Sequence, residues 1–411
     1  MSAVVSDPFR ALGSRDFRIY FSGQLVSMAG TWMQQVAMGW LAYELSGSAL
    51  VLGLLGFAGQ VPILLFSLMG GVWSDRTDRR VLLLWTQSLS LIQAMVLAVL
   101  TWQGWITPPM LLFLAFLLGC INALDLPTRQ SLLVHLVDDR SQLPNAIALN
   151  SMLVNLSRFV GPALAGFIIG WAGEAMCFLL NALSYLGVLL ALLALDAQPG
   201  GDASLRPLHS LKEGLRYTFG NADIRLFLML LAAVSFLLTP YVVMMPLFAK
   251  AEYGGDADTL GLLVSSAGAG SLLAAVMLGA RPSVDGLARR VSLVVPIGGA
   301  VLALFALNEV LMLAYPLLMV LGFAVVHTAA GTNTLLQHWV RDDVRGRVMS
   351  AFTLSLLGIA PLGSLAAGSL AQEIGIRPTF VLFGLVLVVA GIAHSRRLKK
   401  RLVAAPALTG E

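Results

Sequence analysis

The sequence predicts an all-α integral membrane protein, with twelve transmembrane helices in two six-helix bundles related by a pseudo-two-fold axis. Three observations predict it. The 411 residues are 58% hydrophobic and only 12% charged, against about 25% charge in a soluble domain. The apolar runs are continuous and about 20 residues long, enough for a helix to cross about 30 Å of hydrocarbon, whereas barrel strands alternate in segments of about ten. The basic residues concentrate on every second connection, as the positive-inside rule requires of a multi-pass chain.

The elements follow in order. The N-terminus, "MSAVVSDPFRALGSRDFR", carries three arginines. It lacks the apolar core and small-residue cleavage site of a signal peptide, so the first span is expected to act as its own uncleaved signal. Spans are expected at 18–43, 49–73, 81–103, 109–128, 143–170 and 175–195, then at 224–249, 259–280, 290–311, 314–338, 346–371 and 375–396. Between the sets lies a polar linker, 196–223, whose "LHSLKEGLRYTF" has the spacing of an amphipathic surface helix. The expected organisation is a first bundle at 1–195, this linker, a second bundle at 224–396 and a basic tail at 397–411. With the N-terminus in the cytoplasm, 23 of the 26 basic residues fall on cytoplasmic segments. Lys250 and Arg377 fall outside, and Arg158 lies within a span. Both termini are therefore expected in the cytoplasm of a multi-pass cell-membrane protein, the inner membrane in a bacterium. Trp102, Trp105 and Trp171 fall near outer span ends, where aromatic side chains anchor helices at the interface.

The two halves echo each other. "RDFRIYFSGQLVS" (15–27) resembles "ADIRLFLMLLAAVS" (222–235), "VHLVDDRSQLPNA" (134–146) resembles "QHWVRDDVRGRVMS" (337–350), and "GPALAG" (161–166) resembles "GSLAAG" (363–368). Echoes in order at nearly one offset imply a parallel repeat about an axis along the membrane normal, enclosing a central cavity.

Several stretches carry candidate mechanism. The loop "GGVWSDRTDRR" (70–80) places Gly71, Asp75, Arg76, Arg79 and Arg80 at the cytoplasmic face. Its glycines allow close helix approach. Its charges can pair with one another, with a helix terminus or across the seam between halves. The fifth span, "NLSRFVGPALAGFIIGWAG" (155–173), sets Arg158 among small residues and a Gly-Pro bend. A cation at membrane depth is costly and needs a cavity or a partner. Asp125, in "NALDLPTRQ" (122–130), is the candidate proton carrier. It could instead form a structural ion pair with Arg129 or Arg79, and Arg158 a static tie between helices. His327 could titrate near neutral pH or serve as hydrogen-bonded packing. Trp32, Gln35 and Met38 of the first span, Asn122 of the fourth, Tyr241, Met244 and Met245 of the seventh and Asn333 of the tenth are candidates to line the cavity. Methionine and aromatic surfaces adapt to varied ligands, although lipid-facing aromatics and core methionines would read alike.

On these residues the chain resembles the major facilitator superfamily. "GGVWSDRTDRR" is similar to the family loop Gly-x-x-x-Asp-Arg-x-Gly-Arg-Arg, departing at Asp78. "GARPSVDGLARR" (279–290) is its degraded counterpart in the second half. Ala148, Ser157, Gly161, Pro162, Ala165 and Gly166 match the spacing of the antiporter motif. Longer stretches resemble the branch of drug and siderophore exporters that includes the enterobactin exporter and macrolide efflux proteins. The resemblance implies a secondary active transporter exporting a hydrophobic or amphipathic small molecule by proton antiport with alternating access. Its expected partners are that small molecule, protons and the lipid bilayer, with no nucleic acid and no required protein partner. A lipid-related flippase or importer, and a transport-dead receptor or scaffold, remain open as alternatives. An enzyme is not expected. The chain has no phosphate-cradling Gly-Lys-Ser/Thr loop, no His-Glu-x-x-His, no paired-cysteine motif and no Gly-x-Ser-x-Gly. Neither cofactor nor metal site is expected; Cys120 and Cys177 both sit in apolar runs.

Overall fold

The computed structural model describes residues 9–137, 139–196, 220–281 and 283–404, without the side chains of Leu68, Val72, Asp75, Arg140, Asp342, Asp343 and 401–404. The linker helix expected within 196–223 and the end of the tail lie outside the described residues.

Every regular element among the described residues is helical. The first half comprises α1 (Arg15–Ser46), α2 (Ala49–Arg76), α3 (Arg79–Trp102), α4 (Pro108–Leu133), α5 (Leu143–Ala172) and α6 (Glu174–Leu193). The second comprises α7 (Ala222–Glu252), α8 (Ala257–Gly279), α9 (Leu287–Leu307), α10 (Leu311–Trp339), α11 (Val344–Ile374) and α12 (Ile376–Ala404). Eleven described helices are long and apolar enough to cross a membrane. The remaining one, α1, is the longest at 32 residues and falls short on apolar content. Its Gln24, Ser27 and Gln34 are buried against neighbouring helices, so it carries polar groups where lipid-facing helices do not. The helix α12 runs past the expected end at 396, through the basic "SRRLKK".

Local chemistry sets the boundaries. Asp78 accepts from the amides of Arg80 (2.8 Å) and Val81 (3.4 Å) and so caps α3. Asp256 accepts from the Thr259 amide at 3.1 Å and caps α8. That hydrogen bond holds the Asp256 carboxyl below the usual carboxylate range. The turns between α5 and α6 and between α11 and α12 both pass through a left-handed glycine, Gly173 (φ 80°) and Gly375 (φ 87°). Two spans depart from the straight helices that the sequence predicts. In α7 the ladder stops at Leu237 and passes through a 3₁₀ turn at Thr239–Tyr241 and a π turn at Phe248–Glu252. Pro240 and Pro246 lack the amides a continuous ladder needs. In α11 a π turn, Leu354–Gly358, precedes Pro361.

The helix faces are reversed relative to a soluble bundle. On α3, Trp85, Leu89, Ile92, Val96 and Val99 are exposed, while Thr86, Gln87, Ser90 and Gln93 are buried. Lipid is as apolar as these exposed side chains, so association rests on close packing and internal hydrogen bonds. Trp102, Trp105 and Trp171 are exposed near helix ends.

Two seams join the halves, α2 against α11 and α5 against α8. A methyl group at Gly166 would lie 2.7 Å from the Ala257 carbonyl oxygen, and one at Gly261 would lie 2.7 Å from that of Pro162. In the other seam, a methyl group at Gly53 would meet the Ser364 carbonyl at 2.7 Å, and one at Gly368 the Ala49 carbonyl at 2.8 Å. Real Cβ contacts are not this short, so backbone packs on backbone. All four glycines sit toward the face opposite the basic loops, hereafter the far face. The Lys250–Glu44 ion pair and a 2.8 Å hydrogen bond from Ser48 to Gln372 also bridge the halves there.

The core follows the same division. Its main cluster runs through both halves, from Met33, Leu52 and Phe178 to Phe227, Leu260 and Phe380. Toward the basic face, Phe17, Leu83 and Leu192 form a cluster within the first half. Leu228, Leu336 and Val348 form another within the second.

Backbone contact at the seam gives a direct test. Gly261→Ala places a methyl group where none fits and should cost about 1–3 kcal/mol, seen as a lower melting temperature in detergent. Gly279→Ala, on the same helix with nothing within 4 Å, should be neutral or stabilising by up to about 1 kcal/mol. Equal melting temperatures for the two variants would refute the close seam.

Candidate functional site

Between the halves lies a cavity of about 340 Å³. It is bounded by α1, α2, α4, α7 and α8. Trp32, Gln35, Met38 and Asn122, picked from the sequence, line it. Val242, Val243, Leu260 and Val264 make the wall contributed by the second half. Tyr241, Met244 and Met245 do not line it. They are buried in the core, because the proline-broken path of α7 turns the intervening valines and Pro246 to the cavity instead. Asn333 is also elsewhere, accepting a 3.0 Å hydrogen bond from Gln337 on α10. The described lining contains glutamine and asparagine as its polar groups and no ionisable side chain.

Asp125 is 1% exposed and forms an ion pair with Arg129 one helical turn away. Two donors from α3 complete its shell, Thr86 at 2.8 Å and Gln87 at 2.7 Å. The cluster thus spans α3 and α4 inside the first bundle. A second buried chain lies nearby: Asn181 donates to Gln34 (2.7 Å), Gln34 to Gln93 (3.0 Å), and Gln93 to the Leu114 carbonyl (3.1 Å). It ties α6, α1, α3 and α4 without a charge. Thr86, Gln87, Gln93, Gln34 and Asn181 escaped the sequence reading. Their signal was present, since Thr86, Ser90 and Gln93 recur at helical spacing along one face of α3.

Arg158 is not joined to Asp125. Its guanidinium carbon lies 4.9 Å from the ring centroid of Trp32, with the buried Tyr241 beside it. Its Nε is buried without a hydrogen-bond partner among the described residues. The carbonyl of Arg158 comes 2.5 Å from where a Cβ on Gly268 would sit, which fixes this turn of α5 against α8. Of the antiporter-motif positions, Ser157, Gly161, Pro162, Ala165 and Gly166 are buried at helix contacts. Ala148 is exposed and takes no part in the seam.

His327 is buried and stacks on Phe323 at 5.2 Å between centroids, 15° from parallel. Neither ring nitrogen has a partner among the described residues.

In the basic loop, Arg79 is buried and its Nε donates to Ser131 on α4 at 2.8 Å. Arg80 donates to the carbonyls of Leu192 (2.7 Å) and Leu193 (3.0 Å), capping the C-terminus of α6 where the helix dipole favours a cation. Arg76 is exposed, and the Asp75 side chain lies outside the described residues. The glycine that admits a neighbour here is Gly70, where a Cβ would fall 2.3 Å from the Ala123 carbonyl; Gly71 faces open space.

With this geometry in place, the comparisons with known proteins are specific. The model of the family described as transmembrane secretion effector matches residues 6–406, and the chain belongs to that family, within the major facilitator superfamily. The chain is 26% identical to the staphyloferrin A transporter of Staphylococcus aureus, over 94% of this chain and 98% of that one. It is 27% identical to the multidrug efflux pump Tap of Mycobacterium tuberculosis, over 92% of each. Its fold is similar to that of a bacterial homolog to the human lysosomal transporter Spinster in an inward-facing, unoccupied conformation. That pair has a TM-score of 0.71 at 17% identity, covering 96% of this chain and 98% of the other.

The Asp125 cluster makes a thermodynamic prediction. Asp125→Asn strands Arg129 without its counter-ion and should lose about 3–5 kcal/mol, measured as denaturation in detergent. Adding Arg129→Gln should restore part of that loss. Strict additivity of the two substitutions would show that the pair does not act as a unit.

Proposed function

We propose that this chain exports a hydrophobic or amphipathic small molecule by alternating access, exchanging it for protons. One observation carries the reading. The main core cluster joins the two halves through first-half residues toward the far face, each half has a further cluster of its own at the basic face, and the cavity between the halves is lined by no ionisable side chain among the described residues. A cavity closed at one face and approachable from the other is one of the two states that alternating access needs. Taking the basic face as cytoplasmic by the positive-inside rule, this state would load cargo from inside a cell membrane, the inner one in a bacterium.

The residues divide the work as follows. The glycine seams of α5 with α8 and α2 with α11 form the outer seal. Sealing there keeps protons from leaking while the halves tilt, the role we assign to the antiporter motif. Asp125 is the candidate proton carrier. A proton on its carboxyl would cancel the pair with Arg129 and free that cation to find new partners, and such a rearrangement inside the first bundle would bias the tilt. Arg158 and His327 are further coupling candidates, the first partly buried beside Trp32 and the second buried within the second bundle. The loop containing Asp75, Arg76, Arg79 and Arg80 sits at the open face, where re-pairing of its arginines would accompany closure. The valine, tryptophan and methionine lining suits an apolar body, and the amide side chains suit scattered polar groups. The cargoes in the relatives' names support an amphipathic substrate.

Proteoliposomes provide the test. With the basic face outward and the lumen acidified, an amphipathic dye should accumulate inside several-fold above gradient-free controls. Dissipating the gradient with a protonophore should abolish the accumulation. Accumulation indifferent to the gradient would exclude proton exchange, and no transport of any probe would favour a receptor or scaffold.

A further inference from the structure

We infer that Arg158 is the receptor for an acidic group on the transported molecule, so that the preferred cargo is an amphipathic carboxylate. This deepens the export reading and rests on it.

A guanidinium within a span normally finds a carboxylate, a backbone carbonyl or a water-filled cavity. Arg158 has no ion pair and no hydrogen bond from its side chain among the described residues, and its Nε is sealed from solvent. The residue as a whole remains partly exposed, and its terminal nitrogens are not among the sealed, unpartnered atoms. The donor end of the fork is therefore unsatisfied and not sealed, with Arg158 set behind the cavity's Trp32 wall and not itself in the lining.

Position then selects the ligand. The guanidinium rests on the Trp32 ring, and Trp32 is itself a wall of the cavity. Stacking holds the planar fork while leaving its in-plane donors free, and a carboxylate matches that geometry with two parallel hydrogen bonds. Gly161 and Gly268 allow α5 to pack tightly on α1 and α8 on either side of this turn, so the cation cannot easily swing away. Among the described residues the cavity lining supplies no competing charge. Gln35, Gln60 and Asn122 are neutral, and Val36, Leu55 and Val264 offer apolar contact. A cationic cargo would find no counter-ion there and would meet the field of Arg158. An anionic cargo finds one matched donor pair in a setting of low dielectric, where such a contact is strongest.

The test uses the wild-type protein first, in phosphatidylcholine nanodiscs, with three probes sharing one naphthyl-butyl body: carboxylate, primary amide and amine. The carboxylate should bind about tenfold or more tighter than the amide, and the amine weakest. Arg158→Gln should bring the carboxylate-to-amide ratio close to one, and Arg158→Lys should restore part of it. Equal affinities in the wild type, or a ratio that survives Arg158→Gln, would overturn the assignment while leaving gradient-driven export untouched. If nanodiscs of phosphatidylglycerol suppressed carboxylate binding relative to phosphatidylcholine, the site would belong to a lipid headgroup, and the inference would fall in that way.

Discussion

Backbone contact across the two seams is the constraint on which the rest of the structure depends. In lipid no hydrophobic drive holds helices together, so the halves adhere only where their surfaces fit. Four glycines supply that fit, Gly166 against Gly261 and Gly53 against Gly368, each with a carbonyl where a side chain would begin. The internal repeat places these contacts symmetrically, since α5 and α11 carry the echoing "GPALAG" and "GSLAAG". Because all four lie toward one face, the bundles are held together at that end.

Charge is distributed to match. Most arginines crowd one face and tie their own bundle. Arg80 caps α6, and Arg79 reaches α4. The charges at membrane depth are fewer and differ in kind. Asp125 is saturated by Arg129, Thr86 and Gln87. Arg158 lacks such saturation. The proposed roles follow that difference, proton exchange at the first and anion binding at the second. Both kinds of site sit on the first bundle, while the second adds an apolar wall to the cavity, including the proline-turned segment around Val242 and Val243.

Much of this was legible in the sequence, for physical reasons. Hydrocarbon thickness fixes span length, and charge asymmetry fixes their number. The seam between α5 and α8 could be read because small residues at helical spacing mean close approach. Other features were hidden. The break in α7 depends on how Pro240 and Pro246 act together, which moved Tyr241, Met244 and Met245 from the expected cavity into the core. The donors around Asp125 come from α3, a neighbour in space that no local pattern identifies. Gly71 was expected to admit a helix that Gly70 in fact admits, because a one-residue shift rotates a helix face by about 100°. Arg158 was visible as an anomaly, but its isolation from Asp125 required coordinates.

If the halves tilt about the central cavity, the far-face seams open as the basic face closes, and paired spin labels measure that exchange. One pair, at Leu45 and Glu373, reports the far face; a second, at Arg76 and Arg341, reports the basic face. All four positions are exposed. Pulsed dipolar spectroscopy across a pH series should show the far-face distance lengthening in the same population in which the basic-face distance shortens. Distances that stay fixed, or that change together in one direction, would contradict a pivot between two bundles.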